Sequence, residues 1–458
     1  MKKIFVLFAV LLLITAAVPF VGNKLVSDAL DEKINFLTAN GIEVKETTTD
    51  ASYLHTKKYY QFLIKDSEKF LNYINQYSRS DIPSYVKEIF DGIEVGMDIS
   101  YTNIPYLNAI EINAYPLTLA PQTMKDMQSE DKHFYEFFTT FLEKKGLLYH
   151  LKYDMYSQEF NGFVKDMDEE YLSTDGTKMK ISLLGMEYNG SGDLFAPIFL
   201  NSKMQTFSFE GKKDKNALKF TFEGLASASD FESRSKYSNA FSLENMNVAL
   251  SGEEKFFIDV KDVKVSLASD TQNTFAKMYA KSSFKEFHMS ADAITTKVQD
   301  FNYDISLNEM DKEALEELQD VIAEAKSTSS DTLELKMRES FVKLLSRGVV
   351  LNVDDFSFKN VVLEDGKNLN GISLTAQISF KEDPTLANKL LYTPALLAQN
   401  LDTEMRLNIS KEIFAKINET TPMAMLVMQY AKKVADNYVF EVYMKNSELM
   451  VNGQIITN

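Results

Sequence analysis

Apolar residues recur along this chain with two different periods. Near the start the period is helical. Val26, Leu30, Ile34 and Leu37 fall on one stripe, and Asn40-Gly41 supplies a C-terminal stop. From Ile42 the texture turns to strand, predicted over 42–48, 57–65, 92–102 and 109–119. Ser67 starts a short helix with Phe70, Leu71, Ile74 and Tyr77 on one side, and Asp81 starts another that ends at Phe90. Residues 121–145 read as one helix carrying Phe134, Phe137, Phe138, Phe141 and Leu142, stopped by Gly146.

Residues 147–307 are different in kind. Leu218, Phe220 and Phe222 alternate with polar residues, as do Val263, Val265 and Leu267, and Phe301, Tyr303, Ile305 and Leu307. Period-2 alternation gives a strand one apolar and one wet face. Asp175-Gly176, the run 189–192, Glu210-Gly211 and Ser251-Gly252 are read as turns between strands. The expectation is a broad, curved antiparallel sheet. A helical hairpin interrupts it. Leu315, Leu318, Ile322 and Ala325 form the first stripe, and Leu333, Met337, Phe341 and Leu344 the second. Strands resume with Ile372, Leu374, Ala376, Ile378 and Phe380. Residues 384–399 and 411–433 read as helices, the second broken at Thr421-Pro422, and a hairpin over 438–456 closes the chain.

The organisation predicted is therefore a segment 1–22, an α+β region 23–146, an antiparallel β region 147–307, the hairpin 308–347 and an α+β region 348–458. The fold class is α+β and β-rich, with packed helices behind an N-terminal transmembrane helix. That helix is expected because residues 4–22 carry no charge and follow Lys2 and Lys3. Such a run is long enough to span hydrocarbon. A cleaved signal peptide is the alternative, with Thr15 and Ala17 before the cut. Either way the body lies outside the cytoplasm. The expected location is the bacterial inner membrane with the body in the periplasm, or the periplasm after cleavage.

Four stretches carry a family resemblance: the basic, apolar start with its helix to Asn40-Gly41, FNYDISLNEMDKEALEELQ at 301–319, the strand pair within 348–380, and YMKNSELMVNGQII at 443–456. With them the chain resembles the YdgA-like family of bacterial envelope proteins. The match covers the C-terminal third best. An Arg-Gly segment frequent in that family near 53–60, and a later His-Gly-Pro segment, are missing. The family is similar in its export signal and β-rich texture to the larger AsmA-type lipid-handling proteins, an analogy of fold alone.

Composition narrows the chemistry. There is no cysteine, which removes disulfides, thiolate metal sites and a cysteine nucleophile. A net charge of −17 argues against nucleic acid as a partner. His55, His133, His150 and His288 lack a second ligand at metal-binding spacing. The acids Asp166, Asp168, Glu169 and Glu170 fail the calcium-loop pattern, because Tyr171 stands where glycine belongs and Thr177 where glutamate belongs. Asp354 and Asp355 are expected to end or cap an element. Ser191 lies in a Gly-flanked turn rather than a nucleophile elbow. Met423, Met425 and Met428 read as helix packing, with an adaptable contact surface as the other reading. No cofactor and no enzymatic activity are expected.

Function then rests on supply and demand. Many apolar strand faces are available and few helices can cover them. Phe207, Phe209, Leu218, Phe220, Phe222, Val263, Val265 and Leu267 are the candidate lining of an apolar groove, with lipid or another envelope protein as partner. The alternative is an envelope scaffold whose sheet is fully packed. Neither reading fixes the subunit count, and a homo-oligomer is compatible with both.

Overall fold

The computed structural model describes residues 2–456 apart from 78–85, 106–108, 194–195, 234, 253–254, 273, 292–293, 326–330, 363–366, 387–399 and 421–427. At 2–18, 331–334 and a few element ends it describes the backbone alone. Two compact units divide the chain, Met1–Asp214 and Lys215–Asn458.

The first unit opens with α1 (Lys2–Ala39), which runs unbroken through Pro19. The side chains of 2–18, which bear most of the expected membrane segment, lie outside the described residues. Among the described residues no helix is long and apolar enough to cross a membrane. The chain continues as β1 (Ile42–Ala51), β2 (His55–Ile64), α2 (Ser67–Tyr77), α3 (Val86–Phe90), β3 (Glu94–Thr102), β4 (Ala109–Thr118), α4 (Pro121–Glu130) and α5 (Lys132–Glu143). Then come β5 (Tyr149–Asp154), β6 (Glu159–Val164), β7 (Met167–Leu172), β8 (Lys178–Leu184), β9 (Met186–Asp193) and β10 (Ala196–Lys213). Neighbours pair antiparallel from β1 to β6. After that β6 pairs with β9 and β7 with β8, and β10 borders β9 with one half and β8 with the other.

The stripe predicted on α1 is the one that docks. Val26 is fully buried against Ile42, Tyr60, Phe62, Ile99, Tyr101 and Ile110, with Leu30, Ile34 and Leu37 beside it. A polar line runs along the same helix at four-residue spacing. Asn23 Oδ1 accepts hydrogen bonds from Thr56 (3.1 Å) and the Tyr101 hydroxyl (2.8 Å). Lys58 Nζ donates to Ser27 Oγ at 2.6 Å and lies 3.7 Å from Asp31. These bonds fix rotation and register of the helix on its sheet, because a half turn would bury each group unpaired.

Several expectations are corrected here. The run 121–145 is two helices, because Asp131 breaks it. Its carboxylate accepts the backbone N–H groups of His133 and Phe134, which caps α5. The run 189–192, Ser191 included, lies inside β9, and Glu210-Gly211 lies inside β10. Gly190 serves close approach rather than a turn: a Cβ there would sit 2.4 Å from the Phe160 ring. Asp175-Gly176 does form the β7–β8 turn.

The second unit comprises β11 (Asn216–Ser233), β12 (Lys236–Ser251), β13 (Phe256–Gln272), β14 (Phe275–Ala291), β15 (Ile294–Asp311), α6 (Lys312–Ala325), α7 (Asp331–Ser346), β16 (Val349–Val362), β17 (Asn368–Phe380) and β18 (Leu401–Ser410). It ends with α8 (Lys411–Thr420), β19 (Lys432–Val434), β20 (Asn437–Lys445), β21 (Glu448–Val451) and β22 (Gln454–Ile456). Strands β11 to β18 pair antiparallel in sequence order. β20 follows β18 and also pairs with β19 and β21.

Three further expectations change. Residues 432–434 are strand, not helix, because they pair with β20. Asp354 and Asp355 fall inside β16 at an irregularity of its pairing rather than at its end. On α7, Leu344 and Val342 are buried while Met337 and Phe341 of the predicted stripe are exposed. The predicted helix over 384–399 and Met423 and Met425 lie largely outside the described residues.

Candidate functional site

The long strands of the second unit change phase near their middle, and β15 does so again at Glu309 (φ 59°). In β13 the apolar positions are Phe256, Ile258 and Val260, then Val263, Val265 and Leu267. In β15 they are Ile294 and Val298, then Phe301, Tyr303, Ile305 and Leu307. The switch falls where the backbone is left-handed: Gly224 (φ 64°) in β11, Asp262 (φ 53°) in β13 and Asp300 (φ 52°) in β15. An extra residue of this kind resets the alternation, so the apolar side chains stay on one face. Phe284 and Phe287 confirm the reset in β14, with ring centroids 6.3 Å apart despite their odd spacing.

These breaks align across the sheet. Direct pairing stops beside Gly224, Glu244, Asp262, Lys285, Asp300, Lys359 and Gly371 in successive strands. Next to the breaks runs a polar row, Glu223–Asn245–Lys261–Glu286–Gln299–Asn360–Asn370, each residue directly opposite the next. Asn245 donates to Glu223 at 3.2 Å, and Asn360 to Gln299 at 3.1 Å. Glu286 takes Lys297 at 2.6 Å and Lys261 at 3.2 Å. Lys297 holds the Glu286 carboxyl down at about 2, against the opposing pull of desolvation and with further help from Lys261. The row is polar on one face, and the other face is mostly apolar, with Ser227, Asn239, Ser282 and Thr296 among its positions.

Among the described residues, helices cover that apolar face at two places. At one, α6 and α7 bury Ala314, Leu315 and Leu344 against Ala276, Met310 and Val349. At the other, Phe414 of α8 packs on Ile409, Tyr438 and Phe440. Away from both, on β11 to β13, lie Phe220 opposite Val248, Phe222 opposite Met246, and Val265 opposite Phe241. Leu218, Val265 and Leu267 remain 41%, 40% and 38% exposed. Phe284 stacks on Phe301 at 4.8 Å, and Phe301 meets Phe356 edge-on at 6.0 Å.

Six of the eight groove residues predicted from sequence therefore share one face of the second unit: Leu218, Phe220, Phe222, Val263, Val265 and Leu267. Phe207 and Phe209 belong to the first unit, opposite Leu183 and Ile181. Their face has a helical neighbour. Tyr171, in the row that continues through Met179 to Gly211, packs on Phe134 and Phe137 of α5. The breaks were visible in the sequence as a phase switch in each strand, but the alternation had been counted run by run.

Several of the other residues singled out have structural partners. His150 Nδ1 lies 2.9 Å from Asn113 Oδ1, its ring on Phe163, and His288 meets Phe257 edge-on. Asp166 accepts the Gly185 N–H, and Asp175 bonds Lys213 and the Thr177 N–H. No group of metal-ligating side chains is found among the described residues.

No curated protein and no solved structure matches the chain. A family model does, over residues 160–458, which takes in the end of the first unit and all of the second. The chain thus belongs to DUF945, a family of bacterial proteins of unknown function.

Proposed function

We propose that this is a non-enzymatic protein of the bacterial envelope, held to the inner membrane by α1, whose second unit binds an apolar ligand on its open sheet face. The observation that carries this reading is the apolar face of β11 to β13, where Leu218, Val265 and Leu267 are each about two-fifths exposed. Large exposed apolar surfaces on monomers mark sites of interaction. Linear side-chain rows on a sheet suit an extended acyl chain, which needs no polar recognition along its length. The location draws on the charge-free run 4–22 behind Lys2 and Lys3 and on the YdgA-like resemblance.

Native mass spectrometry of the full chain, extracted gently in detergent, tests the ligand. The expected result is a co-purified acyl lipid that survives detergent exchange. A protein that carries no lipid, and acquires none when offered fatty acid, would favour a scaffold acting through its surface.

A further inference from the structure

The opposite face of the same sheet holds a cleft that the apolar reading does not use. Asn302, Ser357, Ser373 and Asn408 stand directly opposite one another across β15, β16, β17 and β18. Their neighbours Tyr303, Phe356, Leu374 and Leu407 form the matching apolar row, so the polar four point the other way. Beside them direct pairing is interrupted at Asp300, Lys359 and Gly371. A cleft of about 320 Å³ opens there, also lined by Asn370, Asn437 and the apolar Phe358 and Ile372. That is the small end of the range for ligand clefts, about 300–1,000 Å³. Gly371 lets β16 and β17 approach, since a Cβ would fall 1.6 Å from the Phe358 carbonyl oxygen.

The chemistry of the lining is specific. It offers four amides and two hydroxyls, each able to donate and accept. Its two charges face each other, Lys359 Nζ being 3.8 Å from Asp300. The side-chain oxygen of Asn408 is buried and has no hydrogen-bond partner. A buried acceptor without a partner is costly, and a ligand hydroxyl would satisfy it once the Asn408 side chain turned towards the cleft. An anion would find no unopposed cation, and an apolar group would leave the amides unpaired. We infer that the cleft binds a saccharide, whose neighbouring hydroxyls match planar amides that donate and accept side by side. The sugar could be free or the headgroup of a glycolipid. This site stands or falls separately from the apolar face, because it opens on the other side of the sheet.

Saturation-transfer NMR on the full chain, in a detergent without a sugar headgroup, tests the site with maltose and with diacetylchitobiose. A second arm offers the same full chain a galactosyl diglyceride dissolved in the detergent micelles, against micelles without protein. Transfer to the ring protons of a free disaccharide assigns a free sugar, and protein-dependent transfer to the galactosyl ring alone assigns a headgroup. Ser373→Leu fills the row and should weaken whichever signal is found at least about tenfold, the loss of one good hydrogen-bonding position. Asn408→Leu should do the same without lowering the melting temperature, since it removes a buried oxygen that has no partner. No signal in either arm, or an undiminished signal in both folded variants, overturns the inference.

Discussion

The residue that best reports the state of the second unit is Glu286. Its carboxyl is held near 2 by Lys297 and Lys261, below the ordinary value of 4.5. A depressed carboxylate contributes stability that is complete above its unfolded value and is lost as pH falls towards the folded one. Unfolding free energy should therefore drop between about pH 4.5 and pH 2, and Glu286→Gln should flatten that drop. At neutral pH the variant should cost about 1 kcal/mol, discounted for partial solvent screening. Denaturant titrations of both proteins at several pH values check this, and parallel curves would mean that the charge row does not act as drawn. At this scale sequence reading went only part of the way. Asp131 was legible as a cap in principle, since it stands just before His133 and Phe134, but the apolar stripe of Phe134 to Leu142 hid it inside a longer helix. The cross-strand partners of Glu286 were not legible, because pairing 261 with 286 requires the register.

At the scale of elements, the helical hairpin shows what periodicity does and does not decide. Leu315 and Leu318 of α6 meet the sheet as their stripe predicts. On α7 the spacing picked Leu344, which is buried, but also Met337 and Phe341, which are exposed, while Val342 outside that stripe turns inward. A helix of mixed composition offers more than one apolar stripe, and the partner surface chooses. Leu315→Ala should cost about 2–5 kcal/mol as a buried large-to-small change. Glu317→Ala, which removes an exposed pair with Lys343, should cost at most about 0.5 kcal/mol. Equal melting temperatures for the two would show that α6 is not docked. The aligned breaks belong to this scale as well. Strands β11 to β15 are 16–18 residues long. Ordinary strands run to about ten. Splitting each at one transverse row lets the sheet twist without turning its apolar side chains outward. The phase switch from Val260 to Val263 carried that information in the sequence. Gly190 misled for a related reason: a glycine needed for close packing looks the same in sequence as one needed for a turn.

At the scale of the whole molecule, the β-rich antiparallel architecture and the helix behind it were legible, because alternation over long stretches leaves few other folds. The division at Asp214 was not, since β10 and β11 alternate alike on either side of it. Anchoring by α1 predicts that the full chain resists alkaline carbonate extraction and retains Lys2 and Lys3. A variant starting at Asn23 keeps the bonds to Thr56 and Tyr101 and should be released in folded form. Recovery of a mature N-terminus at Val18 would contradict the anchor. The central claim is that the open face of the second unit holds an apolar ligand. The direct measurement is crosslinking of a photoactivatable fatty acid to the full chain, with the labelled peptides mapped, in the parent and in a variant carrying Leu218→Asp and Leu267→Asp. Both positions are about two-fifths exposed, so the folded state should survive the change. The account predicts labels on β11 to β13 in the parent and their loss in the variant at an unchanged melting temperature. Labels confined to α1, or equal labelling of both proteins, would contradict it.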